Sequence, residues 1–141
     1  MMIAVVDRGR SGAPLRAPLR VLLVEDSRML QDRLRETLAA LDGVEVSDTV
    51  DSELAAVDAI RTGRCDAVVL DLHLRRGTGI GVLRALARVG VRRPEIVVFT
   101  NYDLPEYRRI AESYGVRHFL DKAREYERLP TVLEQLRDER G

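Results

Sequence analysis

The sequence predicts an α/β domain built on a five-stranded parallel, doubly wound sheet. Two observations carry this. Short, nearly continuous apolar runs, of the kind buried on both sides of a parallel sheet, recur along the chain. Between successive runs lie stripes of apolar residues spaced by three and four, the period of a helix with one buried face. Such alternation, with right-handed crossovers, gives one parallel sheet covered by helices on both faces.

The elements follow in order. Residues 1–19 include most of "DRGRSGAPLRAPLR", rich in Gly, Pro and Arg and without a sustained period, so they are expected to form a flexible N-terminal tail ahead of a domain over 20–141. The strands expected are "VLLV" (21–24), the partly alternating "VEVSDTV" (44–50), "AVVL" (67–70), "IVVF" (96–99) and the weaker "VRHFL" (116–120). Leu30, Leu34, Leu38 and Leu41 mark a first helix, and Leu54, Val57 and Ile60 a second. Val82, Leu83 and Leu86 mark a third. Leu104, Tyr107, Ile110, Ala111 and Tyr114 mark a fourth, and Leu129, Val132, Leu133 and Leu136 a fifth. Gly43, Gly63, Gly90 and Gly115 each follow a stripe, where left-handed helix ends are expected.

Composition narrows the function. A chain of 141 residues can bury a core without staples, and its 45% hydrophobic content suits a globular domain. Net charge is zero, so there is no global pull toward nucleic acid or an anionic membrane. Cys65 is the single cysteine, which excludes an intramolecular disulfide and a cysteine metal cluster. It reads as a structural residue before a strand, and a reducing cytoplasm is the expected location. No run approaches the roughly 20 apolar residues of a membrane-spanning helix, so membrane insertion is not expected.

Ligands of such sheets bind beyond the carboxyl ends of the strands. Glu25 and Asp26 follow the first strand, Asp71 the third and Thr100 the fourth. Lys122 comes one residue after the fifth. It is the one lysine among 23 Lys and Arg residues. Asp51 and Ser52, after the second strand, read as helix-capping residues. Grouped carboxylates suit Mg²⁺, which takes one or two of them together with waters and phosphate oxygens. A carboxylate can also attack phosphorus to give an aspartyl phosphate. Lysine and metal can neutralise the transferring group, and a hydroxyl can donate to one of its oxygens. A slim ammonium fits where the broad guanidinium fork does not.

The set "VLLVEDS", "DAVVLDLHLRRGTGIGVL", "IVVFTNY" and "FLDKA" resembles the receiver domain of bacterial two-component response regulators, over about residues 20–138. The resemblance implies the flavodoxin-like strand order 2-1-3-4-5 and a phosphorylation-dependent switch in a phosphorelay. It implies that Asp71 is the phosphoacceptor. Mg²⁺ would be held by Asp26 and Asp71 directly, by Glu25 through water and by the backbone carbonyl of His73. Thr100 and Lys122 would contact the phosphoryl group, and Phe119 would be the switch aromatic that moves with Thr100. The implied partners are a histidine kinase or phosphotransfer protein and a downstream protein. The latter would meet the face of the fourth helix, fifth strand and fifth helix, which can also form a homodimer.

The chain departs from the family in three places. Arg75 stands where proline is frequent, Asn101 where a small residue is usual, and Ala123 where proline often follows the lysine. A cis peptide before Ala costs about 2.5–4 kcal/mol, so a trans bond is expected between Lys122 and Ala123. The bulk of Asn101 is expected to restrict access to the site. His73 and His118 read as packing or surface residues, since no metal-ligand spacing accompanies them. "GTGIG" (77–81) reads as a turn and the start of a helix rather than a dinucleotide loop. Arg75-Arg76 reads equally as solvated loop or partner contact.

The last stripe ends near the end of the sequence, so a stand-alone receiver is expected, with no DNA-reading head. It is expected to be a signalling domain rather than an enzyme. Two alternatives share the fold: a binding module that never uses phosphate, and a phosphatase working through an aspartyl phosphate. Against the phosphatase, Asp71-Leu72-His73 lacks a second acid two residues on.

Overall fold

Continuous apolar strands need cover on both faces, and the chain supplies it with one sheet between two helical layers. The structure, a computed structural model, describes residues 17–88 and 92–140. The strands are β1 (Leu19–Val24), β2 (Val44–Val50), β3 (Ala67–Leu70), β4 (Glu95–Thr100) and β5 (His118–Asp121). They alternate with α1 (Arg28–Ala39), α2 (Glu53–Arg61), α3 (Gly79–Arg88), α4 (Pro105–Ser113) and α5 (Arg128–Glu139). All strand pairs are parallel, in the order β2-β1-β3-β4-β5.

Successive strand residues face opposite sides, so each run feeds two cores. Leu19, Val21 and Leu23 of β1, Val69 of β3 and Val97 and Phe99 of β4 pack with Leu34 and Leu38 of α1 and Leu129, Val132, Leu133 and Leu136 of α5. Their neighbours Leu22, Val24, Val68, Leu70, Ile96 and Val98 pack with Ile60 of α2, Val82, Leu83 and Leu86 of α3 and Ala111 of α4. This two-sided burial is why these strands show little polar alternation. The edge strand β2 is covered less, and its burial weakens toward its middle.

Leu19 is an exception to the expected tail. It is the first residue of β1, is buried, and donates its amide to Gly43 O at 2.8 Å. Residues 1–16, the bulk of that tail, lie outside the described residues, as does Gly90. Gly63 and Gly115 do end their helices at φ +71° and +86°, where a side chain would be strained. No cis peptide occurs among the described residues, so Lys122-Ala123 is trans.

Three stripe residues are not core. Leu54 is 81% exposed in the first turn of α2, whose buried positions are Ala56 and Ile60. Leu104 is the residue before α4 and is 44% exposed, and Ile110 is 38% exposed. Each of these helices buries only a narrow stripe, Ala56 and Ile60 in α2 and Ala111 in α4, so apolar residues beside that stripe stay exposed.

Candidate functional site

The carboxyl ends of β1, β3, β4 and β5 converge, and the first residues past them build the site. Asp71 follows β3 directly. Its amide donates to Val24 O at 3.1 Å, which extends the β1–β3 pairing by one residue. Its carboxylate accepts the His73 amide at Oδ1, 3.2 Å, and the Lys122 ammonium at Oδ2, 2.8 Å. Glu25 follows β1. Its amide donates to Val50 O at 2.9 Å, and its carboxylate accepts the Ser27 amide at 2.9 Å. Asp26 is half-buried between Glu25 and Ser27, the N-cap of α1. Glu25, Asp26 and Asp71 each offer a carboxylate oxygen within 4.8 Å of the others.

Lys122 reaches this group because β4–β5 pairing continues one residue past the strand, with its amide on Thr100 O at 2.9 Å. The turn that follows is fixed by Asp121, which caps the amides of Ala123 and Arg124 at 2.8 and 3.0 Å. The ammonium bridges Glu25 Oε1 at 2.6 Å and Asp71 Oδ2 at 2.8 Å, with its side chain only 10% exposed. Burial works to lower the Lys122 pKa, but the bonds to Asp71 and Glu25 outweigh it and hold it above its ordinary value. Burial pushes the Glu25 carboxyl up, aided by the Asp71 charge and opposed by Lys122 and the Ser27 amide.

Thr100 is fully buried, and its Oγ1 accepts the Tyr102 amide at 3.2 Å. The hydroxyl keeps its own proton to donate. Asn101 and Tyr102 are both exposed, Tyr102 at 41%. The Tyr102 ring stacks on the His73 ring with centroids 3.8 Å apart, joining the β3–α3 and β4–α4 loops across the mouth. Phe119 is half-buried in β5, with the Arg108 guanidinium 4.5 Å from its ring centroid. Arg108 is in turn bound to Asp103 at 2.5 Å.

Most of the expected site residues meet here. Glu25, Asp26, Asp71 and Lys122 form one cluster, Thr100 joins it through the Lys122 amide, and the His73 amide is bound to Asp71. Phe119 lies outside this set, on the flank toward α4. Ser52 caps α2 as expected, its hydroxyl accepting the Ala55 amide at 3.2 Å. His118 is half-buried with Nε2 unpartnered, and Cys65 is half-buried beside the second core. Strand-end placement brings Lys122 to this edge of the sheet but does not single out Glu25 as a partner. Nor does it point to Tyr102, whose position two past Thr100 is the available signal.

An all-oxygen group of three acids, one half-exposed and two buried, lies at the sheet edge with a buried threonine and lysine, the arrangement that the receiver resemblance implies. The response regulator receiver domain pattern matches residues 21–134, and the chain belongs to that family. It is 35% identical over 119 residues to the response regulator MprA of Mycobacterium sp. (strain KMS), covering 84% of this chain and 47% of that protein. It is 26% identical over 117 residues to a probable C4-dicarboxylate response regulator, DctR, of Priestia megaterium, covering 83% of this chain and 51% of that one. The chain thus spans about half the length of these curated relatives. Among solved structures it superposes on the signal receiver domain of a NarL response regulator of Mycobacterium tuberculosis with a TM-score of 0.75 at 21% identity, covering 86% and 98% of the two chains. The response regulator domain of Thermotoga maritima CheB gives 0.74 at 19%, covering 86% and 95%. At these identities the structural likeness establishes the fold. Membership makes the chain a domain of two-component, phosphorylation-dependent signalling.

Proposed function

We propose that the chain accepts a phosphoryl group on Asp71 from a phosphohistidine of a histidine kinase or phosphotransfer protein in the cytoplasm. A carboxylate oxygen of Asp71 forms the O–P bond as the donor's P–N bond breaks, and the departing imidazole nitrogen keeps the electron pair and takes a proton. The observation that carries this reading is the Lys122 bridge. A buried ammonium between the acceptor and a second acid is placed to follow negative charge as it moves onto the phosphoryl oxygens. Asp26, Asp71, the His73 carbonyl and, through water, Glu25 would hold Mg²⁺, and the oxygen-only donor set fits that ion. Bound there, Mg²⁺ would neutralise phosphoryl oxygens. Thr100 donates its free hydroxyl proton to one of those oxygens and draws its loop inward, and Phe119 follows.

The output is the α4-β5-α5 face, where phosphorylation shifts an existing equilibrium toward a form that binds a protein partner or a second copy of the chain. Exposed Leu104 at the start of α4 and Ile110 within it offer apolar area to bury. The test is intact-mass analysis after incubation with phosphoramidate or acetyl phosphate and Mg²⁺. One added phosphoryl group is expected, and none on Asp71→Asn. Equal labelling of both proteins would remove Asp71 as the acceptor. No labelling of the wild type would favour a binding module independent of phosphate.

A further inference from the structure

The first and last glycines of "GTGIG" are explained by one side chain from another element. Glu53, the first residue of α2, inserts its carboxylate into the β3–α3 loop and accepts the Thr78 amide at 3.0 Å. Its own amide donates to Arg76 O at 3.0 Å, and Ser52 and Arg76 form a parallel bridge. The glycines leave room for it. A Cβ on Gly77 would stand 2.6 Å from Glu53 Oε1, and one on Gly81 the same distance from Oε2. Both are closer than real Cβ contacts allow. Gly79 serves the acceptor in the same way, since a Cβ there would overlap the Asp71 carbonyl and lie 2.9 Å from Leu72 Cα.

The clamped loop is the one that shapes the site. It leaves β3 at Asp71 and folds back as a small hairpin, with His73 bridged to Thr78 and the Gly79 amide on Leu72 O at 3.0 Å. The position of His73 is therefore set by Thr78, and Thr78 is tied to Glu53. We infer that Glu53 is a positioning residue for the acceptor loop, holding the His73 main chain where an ion bound by the acids would need it. This rests on the phosphoacceptor reading of Asp71. Glu53 itself touches none of the reacting atoms.

The test uses Glu53→Ala, Glu53→Gln and Gly81→Ala in the full chain. Glutamine keeps an oxygen for the Thr78 amide, alanine does not, and a methyl group on residue 81 pushes the carboxylate out. In metal-free protein, hydrogen exchange at the Thr78 amide should quicken in Glu53→Ala and Gly81→Ala and stay near wild type in Glu53→Gln. Half-saturating Mg²⁺, followed by NMR shifts of residues 71–73, should rise about tenfold in the first two, the usual effect of losing a ligand-orienting hydrogen bond, and little in the third. Unchanged exchange or unchanged Mg²⁺ dependence in Glu53→Ala overturns the inference, as does Glu53→Gln behaving like Glu53→Ala. A wild-type chain that binds Mg²⁺ yet takes no phosphoryl group defeats the proposed function and leaves this one standing.

Discussion

Lys122 lies 2.6 Å from Glu25 Oε1, held by that acid as closely as by Asp71 at 2.8 Å. The lysine is thus a bridge between two buried carboxylates rather than one half of a pair. That geometry explains why an arginine-rich chain keeps lysine here. Three donors on one nitrogen serve two acids in a space a planar fork would not enter.

Lys122→Arg should fold and bind Mg²⁺ but fail to switch. NMR shifts of α4 and β5 with and without beryllofluoride, a phosphoryl mimic, check this. Wild-type shifts in the variant would mean that only the charge matters.

Lys122→Ala leaves Glu25 and Asp71 buried without a cation. Breaking a buried pair in this way costs about 3–5 kcal/mol near neutral pH. The loss should shrink on acidification, because protonating Glu25 relieves it. The raised Lys122 contributes stability below its unfolded-state pKa, lost as pH rises through the folded one. The raised Glu25 makes the fold bind a proton more tightly, so its share of stability also falls as pH climbs past its unfolded value. Denaturant titrations across pH on both proteins measure this.

Tyr102→Ala should speed both labelling and dephosphorylation several-fold, because it removes one half of the His73–Tyr102 stack across the mouth. Asn101→Ala should have the smaller effect, since it leaves that stack in place. Phosphoryl lifetimes from intact-mass time courses separate the two. A larger effect at Asn101 would restore the expectation that its bulk restricts access.

Asp66→Ala should destabilise by about 1 kcal/mol, the net worth of the bond it accepts from the part-buried Arg20 amide. Its carboxylate accepts the Arg20 amide at 2.8 Å and the Arg20 guanidinium, and Arg140 lies 3.7 Å away. Burial works to raise the Asp66 pKa, but the Arg20 bonds outweigh it and hold it below its ordinary value. Its contribution is therefore present above the unfolded-state pKa and lost as pH falls through the folded one. Melting curves at neutral and acidic pH should show the gap between variant and wild type closing in acid.

Removing residues 1–16, which from Asp7 on are rich in Gly, Pro and Arg, should shift the melting temperature by only a few degrees. Leu19→Ala should cost about 2–5 kcal/mol, the range for a buried leucine. Equal melting shifts for the two would contradict the placement of Leu19 in the core.

Strand identity and the acid cluster were legible because both follow from local pattern. Runs buried on two faces stay apolar, and residues just past strand ends share one edge. Leu54, Leu104 and Ile110 were misread because periodicity reports a face, not how narrow a stripe of it is buried. The Glu53 contact was illegible for another reason. Gly77 and Gly81 announce that something approaches closely, but not which distant side chain does so.

The site occupies one end of the sheet, and the chain's described ends meet at the other. Arg140 donates to Pro18 O at 3.0 Å and Ala17 O at 3.3 Å. The six-residue β1 separates that closure from Glu25 by roughly 20 Å. A fluorophore or a solid support attached at Arg140 would therefore sit on the underside, a sheet's length from Asp71. A short peptide joining Ala17 to Arg140 in a chain without residues 1–16 would give a ring that can be reopened at an exposed turn such as Gly63.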